Sequence, residues 1–309
     1  MNLILQVIIP VFLVIGFGYL AVWQKWFPDS GVEILMKFTQ NFAIPCLLFR
    51  AVSVLDLQQT FNIALLSSFY FGAICGFCFG LLGARLLFKR NWENSVAIGF
   101  CCLFSNAVLL GLPITERAYG IDALSANFAI IALHAPIAYF IGITTMELIH
   151  GKSTSVVELI QKVLRSMFKN ALVISLVLGF FVNLLEIPLP IVAAESVDFL
   201  ANAALPVALF GLGGVLVRYR PAGDLRVILY ICLISLIVHP SLVWITGNLF
   251  NLSKTEFRSA ILTSAMAPGI NTYLFANMYG SARRVAASAV LISTALTVVT
   301  ASFWLFALG

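Results

Sequence analysis

The sequence predicts an all-α membrane protein of about ten transmembrane helices, built as two inverted five-helix repeats with broken crossover helices in the fourth and ninth spans. Three observations carry that expectation. The chain has 309 residues, 61% hydrophobic and only 10% charged, and its mean hydropathy is +1.03. A crossing takes about 20 apolar residues plus a connection, so the spans use the whole length and no soluble domain fits. The second observation is an interruption: Ala260-Ile-Leu-Thr-Ser-Ala-Met-Ala-Pro-Gly-Ile-Asn-Thr-Tyr-Leu-Phe-Ala-Asn-Met-Tyr-Gly280 is apolar enough to cross, yet holds Pro268-Gly269 at its middle. The third is that the two halves of the chain match.

Taken in order, hydropathy and turn signals place spans near 3–22, 32–52, 60–88, 94–117, 121–149, 167–186, 192–217, 225–250, 257–279 and 283–307. No basic residue precedes the first run and it is longer than a signal-peptide core, so it reads as a retained helix. In the third span, Gly72-x-x-x-Gly76-x-x-x-Gly80 sets small residues on one face, which suits close helix packing or, in a moving domain, a sliding face. The repeats are bounded at 1–150 and 167–309, joined by a linker at 151–166 whose apolar and charged residues suit an amphipathic helix on the cytoplasmic membrane surface.

The internal match is specific in its polar and proline positions. Phe38-Thr-Gln-Asn-Phe-Ala-Ile-Pro-Cys-Leu-Leu-Phe49 aligns with Phe199-Leu-Ala-Asn-Ala-Ala-Leu-Pro-Val-Ala-Leu-Phe210, and Tyr119-Gly120 with Tyr279-Gly280. Five spans in each copy give the copies opposite orientations, and inverted repeats with broken helices at corresponding places are the mark of a secondary transporter. Orientation follows from the basic residues: with the amino terminus outside, 14 of the 18 lysines and arginines fall on inside connections, so both termini are expected outside.

The fourth span supplies the partner break, Phe104-Ser-Asn-Ala-Val-Leu-Leu-Gly-Leu-Pro-Ile114, where Asn106 brings an amide into an apolar helix and Gly111 and Pro113 weaken the turns after it. Non-helical backbone within a membrane survives only where it is buried in protein or lines a watery cavity. Residues 266–271 are therefore the first site candidate, set against a simple proline kink. Half-helix amino ends meeting near the midplane would expose N–H groups and partial positive charge, which suits a carboxylate.

Ser105-Asn106 with Gly111-Leu-Pro-Ile114, Met266-Ala-Pro-Gly-Ile-Asn-Thr-Tyr-Leu-Phe-Ala-Asn-Met-Tyr-Gly280 and the five-plus-five layout resemble the auxin efflux carrier family over the full chain. Without a long loop between halves, the chain is similar to a compact bacterial-type permease of that family. The resemblance implies an organic-anion substrate, a scaffold of spans one, two, six and seven, and a transport domain of the other spans moving against it. It implies an inner (plasma) membrane location.

Individual residues divide between binding and structural roles. Asn106 and Asn271, beside Pro268 and Gly269, either donate to a substrate carboxylate or cap backbone freed by the breaks. Asn41 and Asn202, each four residues before the hinge candidates Pro45 and Pro206, either line the pocket or tie kinked helices together. His134, before Pro136, is a candidate proton site, and His239 a weaker one, against neutral histidines bonded between helices. No carboxylate lies mid-span.

The function expected is a secondary carrier or uniporter of small organic anions working by alternating access, elevator-like. The alternatives are a proton- or sodium-coupled symporter or antiporter of the bile-acid or sodium/proton carrier type, and a membrane sensor using the same pocket. Expected partners are the anion, the lipid bilayer, a coupling ion if transport is coupled, and a second copy in a homodimer. No enzyme activity, cofactor, metal site or nucleic acid is expected. Catalytic signatures such as Gly-x-Ser-x-Gly or His-Glu-x-x-His are absent, Cys75-Gly-Phe-Cys78 has no second pair to complete a zinc site, and the net charge of +5 sits at span ends.

Overall fold

The computed structural model describes residues 2–55, 61–150, 171–219 and 222–309, and every regular element among them is helical. The expected amphipathic linker at 151–166 lies outside the described residues. The helices are α1 (Asn2–Trp23), α2 (Asp29–Phe38), α3 (Ile44–Ser53), α4 (Ile63–Leu86), α5 (Trp92–Leu103), α6 (Leu112–Tyr119), α7 (Leu124–Ile149), α8 (Ala171–Leu184), α9 (Ile191–Leu216), α10 (Leu225–Leu233), α11 (His239–Leu249), α12 (Lys254–Ser264), α13 (Ile270–Met278) and α14 (Arg283–Leu308). Among the described residues, seven stretches are long and apolar enough to cross a membrane: 6–23, 29–53, 63–86, 121–149, 191–216, 225–249 and 283–308. Seven such stretches make this an integral membrane protein. The expected fourth and ninth spans are the pairs α5/α6 and α12/α13, each too short alone because each is interrupted.

Polar residues at the sequence's turn signals start the helices. Asn62 accepts from the Ala64 N–H at 2.9 Å to begin α4, Asn91 from Asn94 at 3.0 Å to begin α5, and Asp224 from Arg226 at 3.1 Å to begin α10. Ser253 and Glu256 form a reciprocal capping box on α12. Each satisfies amide donors that a helix start otherwise leaves open.

The chain divides into two compact units. One comprises residues 10–60 and 160–218, the other residues 1–9, 61–159 and 219–309. The first unit holds most of α1 with α2, α3, α8 and α9. There, a Cβ on Gly18 would run into the Phe210 backbone and one on Gly213 into Ile15, so α1 and α9 pack backbone to backbone. Asn183 donates to the carbonyls of Val52 (2.9 Å) and Leu55 (2.8 Å), and Arg50 pairs with Asp198 at 3.0 Å. A π-helical turn, Thr39–Ala43, carries Asn41, and Pro45 follows in the first turn of α3. Its counterpart in the second half has no π-helical turn: α9 runs through Pro206 without interruption. A proline inside a helix removes one N–H and crowds one carbonyl, and a long apolar helix absorbs that as a local distortion.

The second unit is organised on α4. Its glycine stripe is sealed rather than sliding: a Cβ at Gly76 would lie 2.8 Å from the Cys102 carbonyl, at Gly80 2.7 Å from Cys102 Sγ, and at Gly72 2.9 Å from Val243 and 3.0 Å from His239. The stripe thus brings α5 and α11 onto α4 within the same unit, which settles its role as packing.

Candidate functional site

The two interrupted spans meet as a miniature antiparallel β-bridge between Ser105 and Pro268. After α5 the chain leaves helical geometry at residues 104–106, and after α12 it does so at 265–269. The Asn106 N–H donates to the Ala267 carbonyl at 2.8 Å, and the Gly269 N–H to the Phe104 carbonyl at 3.0 Å. Each broken helix therefore satisfies the other, as buried non-helical backbone requires. The site is closely confined: Ser105 is 4% exposed, Asn106 5%, and Met266 and Ala267 are fully buried. Gly269 faces the other break directly: a Cβ there would sit in ordinary contact, 3.4 Å from the Phe104 ring and 3.6 Å from Asn106 Cα.

The chain resumes helical geometry differently on the two sides. Beyond Asn106 comes a π-helical turn, Ala107–Gly111, and only then α6, with Pro113 in its first turn. The interruption in the fourth span thus lies upstream of Gly111 and Pro113: from Ala107 the π-helical turn runs directly into α6, with Gly111 and Leu112 in right-handed helical geometry, and the widened turn accommodates the proline that follows. The real breaker is the Ser-Asn pair, whose backbone is committed to the bridge. In the ninth span Pro268 and Gly269 do lie in the interruption, and Asn271 follows as the second residue of α13.

Asn106 fills the capping role and leaves its donors unspent. Its Oδ1 accepts from the Leu109 N–H at 3.3 Å as a cap, while its buried Nδ2 has no hydrogen-bond partner among the described residues. The amide thus holds an unspent N–H₂ at the point where two half-helices begin, where first-turn amides carry partial positive charge. Asn271 is half-buried and its Oδ1 accepts from the Tyr139 hydroxyl at 3.5 Å, which orients the amide nitrogen of Asn271 away from that contact. Thr272 turns back on the break, its hydroxyl donating to the Gly269 carbonyl at 2.8 Å.

The surrounding unit braces the crossing. Asn127 of α7 donates to Thr115 of α6 (3.3 Å) and to Thr263 of α12 (2.8 Å), all three fully buried. Phe100 stacks on Phe275 with centroids 4.0 Å apart, fixing α5 to α13 on the other limbs. His134 of α7 reaches the bridge itself, with Nε2 3.5 Å from Ser105 Oγ and its ring 4.7 Å from that of Phe104. His239 does not; it packs against Phe69 at 5.3 Å and over Gly72. Asn41 and Asn202 fall in the other unit, where both are exposed, with Pro45 buried and Pro206 exposed. Sequence reading missed Ser105 as a bridging residue, Tyr139, and the Asn127–threonine brace. The Ser105-Asn106 dipeptide in apolar text was the available signal for the first; the other two arise from tertiary packing alone.

Residues 3–305 match the family model described as membrane transport protein. The chain is 21% identical over 307 residues to "Uncharacterized transporter YfdV" of Escherichia coli strain K12, covering 97% of this chain and 96% of that one. It is 25% identical over 310 residues to the "Putative malonate transporter" of Rhizobium meliloti strain 1021 (97% and 94% covered). It is 20% identical over 364 residues to auxin efflux carrier component 8 of Arabidopsis thaliana (97% and 96% covered).

Proposed function

We propose that this chain, which belongs to the membrane transport protein family that also takes in the auxin efflux carriers, carries small organic anions across the membrane by alternating access, with the Ser105/Pro268 crossing as the anion site. The observation that carries the reading is the buried, unpartnered Nδ2 of Asn106 beside the start of α13. A donor left unpaired in an apolar interior is destabilising, and a carboxylate oxygen is the acceptor that would remove the penalty most strongly. Asn271, Pro268 and Gly269 complete the site: the first as a second amide, the other two as the residues that keep α13 from joining α12. The name of the Rhizobium relative, at 25% identity, agrees with a carboxylate cargo.

In this reading the chain is two inverted repeats, and the unit holding the crossing moves as a body in an elevator-like cycle. The grouping of α1 to α3 with α8 and α9, apart from the remaining helices, supports it. We place the protein in a bacterial inner membrane with both termini outside, on the distribution of basic residues. Cysteines introduced at either terminus should then react with an impermeant reagent applied outside, and cysteines at positions 162 and 220 should not; the opposite pattern overturns the orientation.

The transport reading is tested by uptake of radiolabelled mono- and dicarboxylates into proteoliposomes, with Asn106→Ala and Pro268→Ala alongside. Saturable accumulation in the parent protein, reduced at least tenfold in both variants at equal protein content, is the expected result. Binding with no accumulation would mark a sensor instead.

A further inference from the structure

We propose that His134 takes up a proton whose counter-charge is the anion held at the crossing, so that proton and anion bind together and the carrier is a proton–anion symporter. The inference rests on the site reading above and adds to it the identity of the coupling ion.

Three observations place His134 for that task. It is the imidazole that touches the bridge: Nε2 lies 3.5 Å from the hydroxyl of Ser105, the residue paired with Pro268, and Asn106 with its open Nδ2 is the next residue along. It is 4% exposed, and its Nδ1 has no hydrogen-bond partner among the described residues, leaving one ring nitrogen uncommitted. Finally, its surroundings hold no counter-charge among the described residues. From α4 the nearest titratable group is Tyr70, ring 6.4 Å away, whose hydroxyl donates to the Ile130 carbonyl. α5 contributes the buried thiols Cys101 and Cys102, α11 contributes His239 behind Phe69, and α7 itself contributes Tyr139, whose hydroxyl is engaged by Asn271. The charged residues of the packed elements sit at the element ends: Arg85 on α4, Glu93 on α5, Glu116 and Arg117 on α6, Asp122 before α7, Glu147 at its end, and Lys254, Glu256 and Arg258 in the first turns of α12.

An imidazolium alone in such a place is an uncompensated buried charge, and a carboxylate alone at the crossing is another. Bound together they neutralise one another, with Ser105 and Asn106 supplying the remaining hydrogen bonds. The protein needs no acidic residue of its own for coupling, because the cargo provides the charge. A proton enters and leaves with each anion, and the net charge moved falls by one.

The deciding experiment uses the purified full-length protein in weakly buffered solution near neutrality, about pH 7.5, where carboxylate probes are ionised. Malonate is titrated in, followed by a panel of other short mono- and dicarboxylates, while a pH indicator dye reports protons. About one proton taken up per anion bound is expected, with affinity rising up to about tenfold per pH unit as pH falls. His134→Gln retains a polar contact to Ser105 but cannot carry the proton, so both signals should vanish while binding at high pH persists. His239→Gln and His150→Gln should keep both signals. Anion binding by the parent protein without proton uptake overturns the inference and leaves the anion site standing. Loss of the proton signal in His239→Gln but not His134→Gln overturns it too, and failure of every probe to bind removes the site reading and the coupling together. If His134→Gln does not fold, His134→Asn is measured in its place and should lose the same two signals; retention of both signals in a folded His134 variant overturns the inference.

Discussion

Pro206 and Pro268 each interrupt an apolar run in the second half of the chain, yet α9 continues through the first and the ninth span parts into α12 and α13 at the second. The difference lies in what surrounds the freed backbone. Around Pro268 the amides and carbonyls that leave the helix find partners on the fourth span, Asn106 to Ala267 and Gly269 to Phe104. Pro206 has no such partner strand, and an open break there would strand backbone groups in an apolar setting. Proline permits a break; a second interrupted span, meeting it at the right height, makes the break affordable. Pro113 shows the same limit, since it sits within the first turn of α6 and the fourth span parts before it, at the residues that pair.

The sharpest test of that contrast is to remove the two prolines. Pro268→Ala adds an N–H and lets α12 and α13 join, so transport should fall at least tenfold while thermal stability is kept or raised. Pro206→Ala should leave transport within twofold and change stability by no more than about 1 kcal/mol. Uptake and melting measured on the same preparations separate these results; equal losses in both would mean that the prolines act by a common packing effect.

A second, smaller effect is expected from the polar brace. Asn127→Leu removes both donations to Thr115 and Thr263, and hydrogen bonds between membrane helices are worth about 0.6 kcal/mol each and at most about 1.7. A loss of about 1–2 kcal/mol in stability is expected, read from thermal or denaturant unfolding in detergent. Uptake should fall only in proportion to the folded fraction, unlike Pro268→Ala. Smaller still, Tyr139→Phe frees the Asn271 carbonyl to turn, and anion affinity should weaken two- to fivefold with protein stability nearly unchanged. Pro113→Ala comes last: the proline lies in continuous helical backbone just past the π-helical turn that accommodates it, and its replacement should change stability by no more than about 1 kcal/mol with uptake unaltered.

How far the sequence could be read divides along the same line. Hydropathy and turn signals marked the spans, because burial and chain reversal are local demands; the caps at Asn62, Asn91, Asp224 and Ser253, seen in the structure, serve the helices that follow them. Pro268-Gly269 marked the ninth-span interruption because proline and glycine act on their own backbone. The fourth-span interruption was legible only as the stretch Phe104–Ile114, with Asn106, Gly111 and Pro113 all marked, for the complementary reason. Its true residues, Ser105 and Asn106, break the helix through pairing with a segment more than 150 positions away, at Ala267, Pro268 and Gly269, and nothing local announces that pairing. His134 was legible as an ionisable residue within a span, but its contact with Ser105 was not, and neither was the confinement of His239 beneath Gly72.

The most direct measurement of the central claim is equilibrium binding of carboxylates to the purified protein, comparing the parent with Asn106→Ala, Asn271→Ala and Asn248→Ala. Asn248 is exposed on α11 and donates to the Trp244 carbonyl in its own helix, so it controls for loss of an amide as such. A charge-assisted donor contributes about 1.5–3 kcal/mol, which is about ten- to a hundredfold in affinity. Asn106→Ala should lose that much and Asn271→Ala about tenfold, while Asn248→Ala binds as the parent does. Unchanged affinity in Asn106→Ala and Asn271→Ala, with the proteins folded, would show that the crossing is a structural junction and that the anion binds elsewhere.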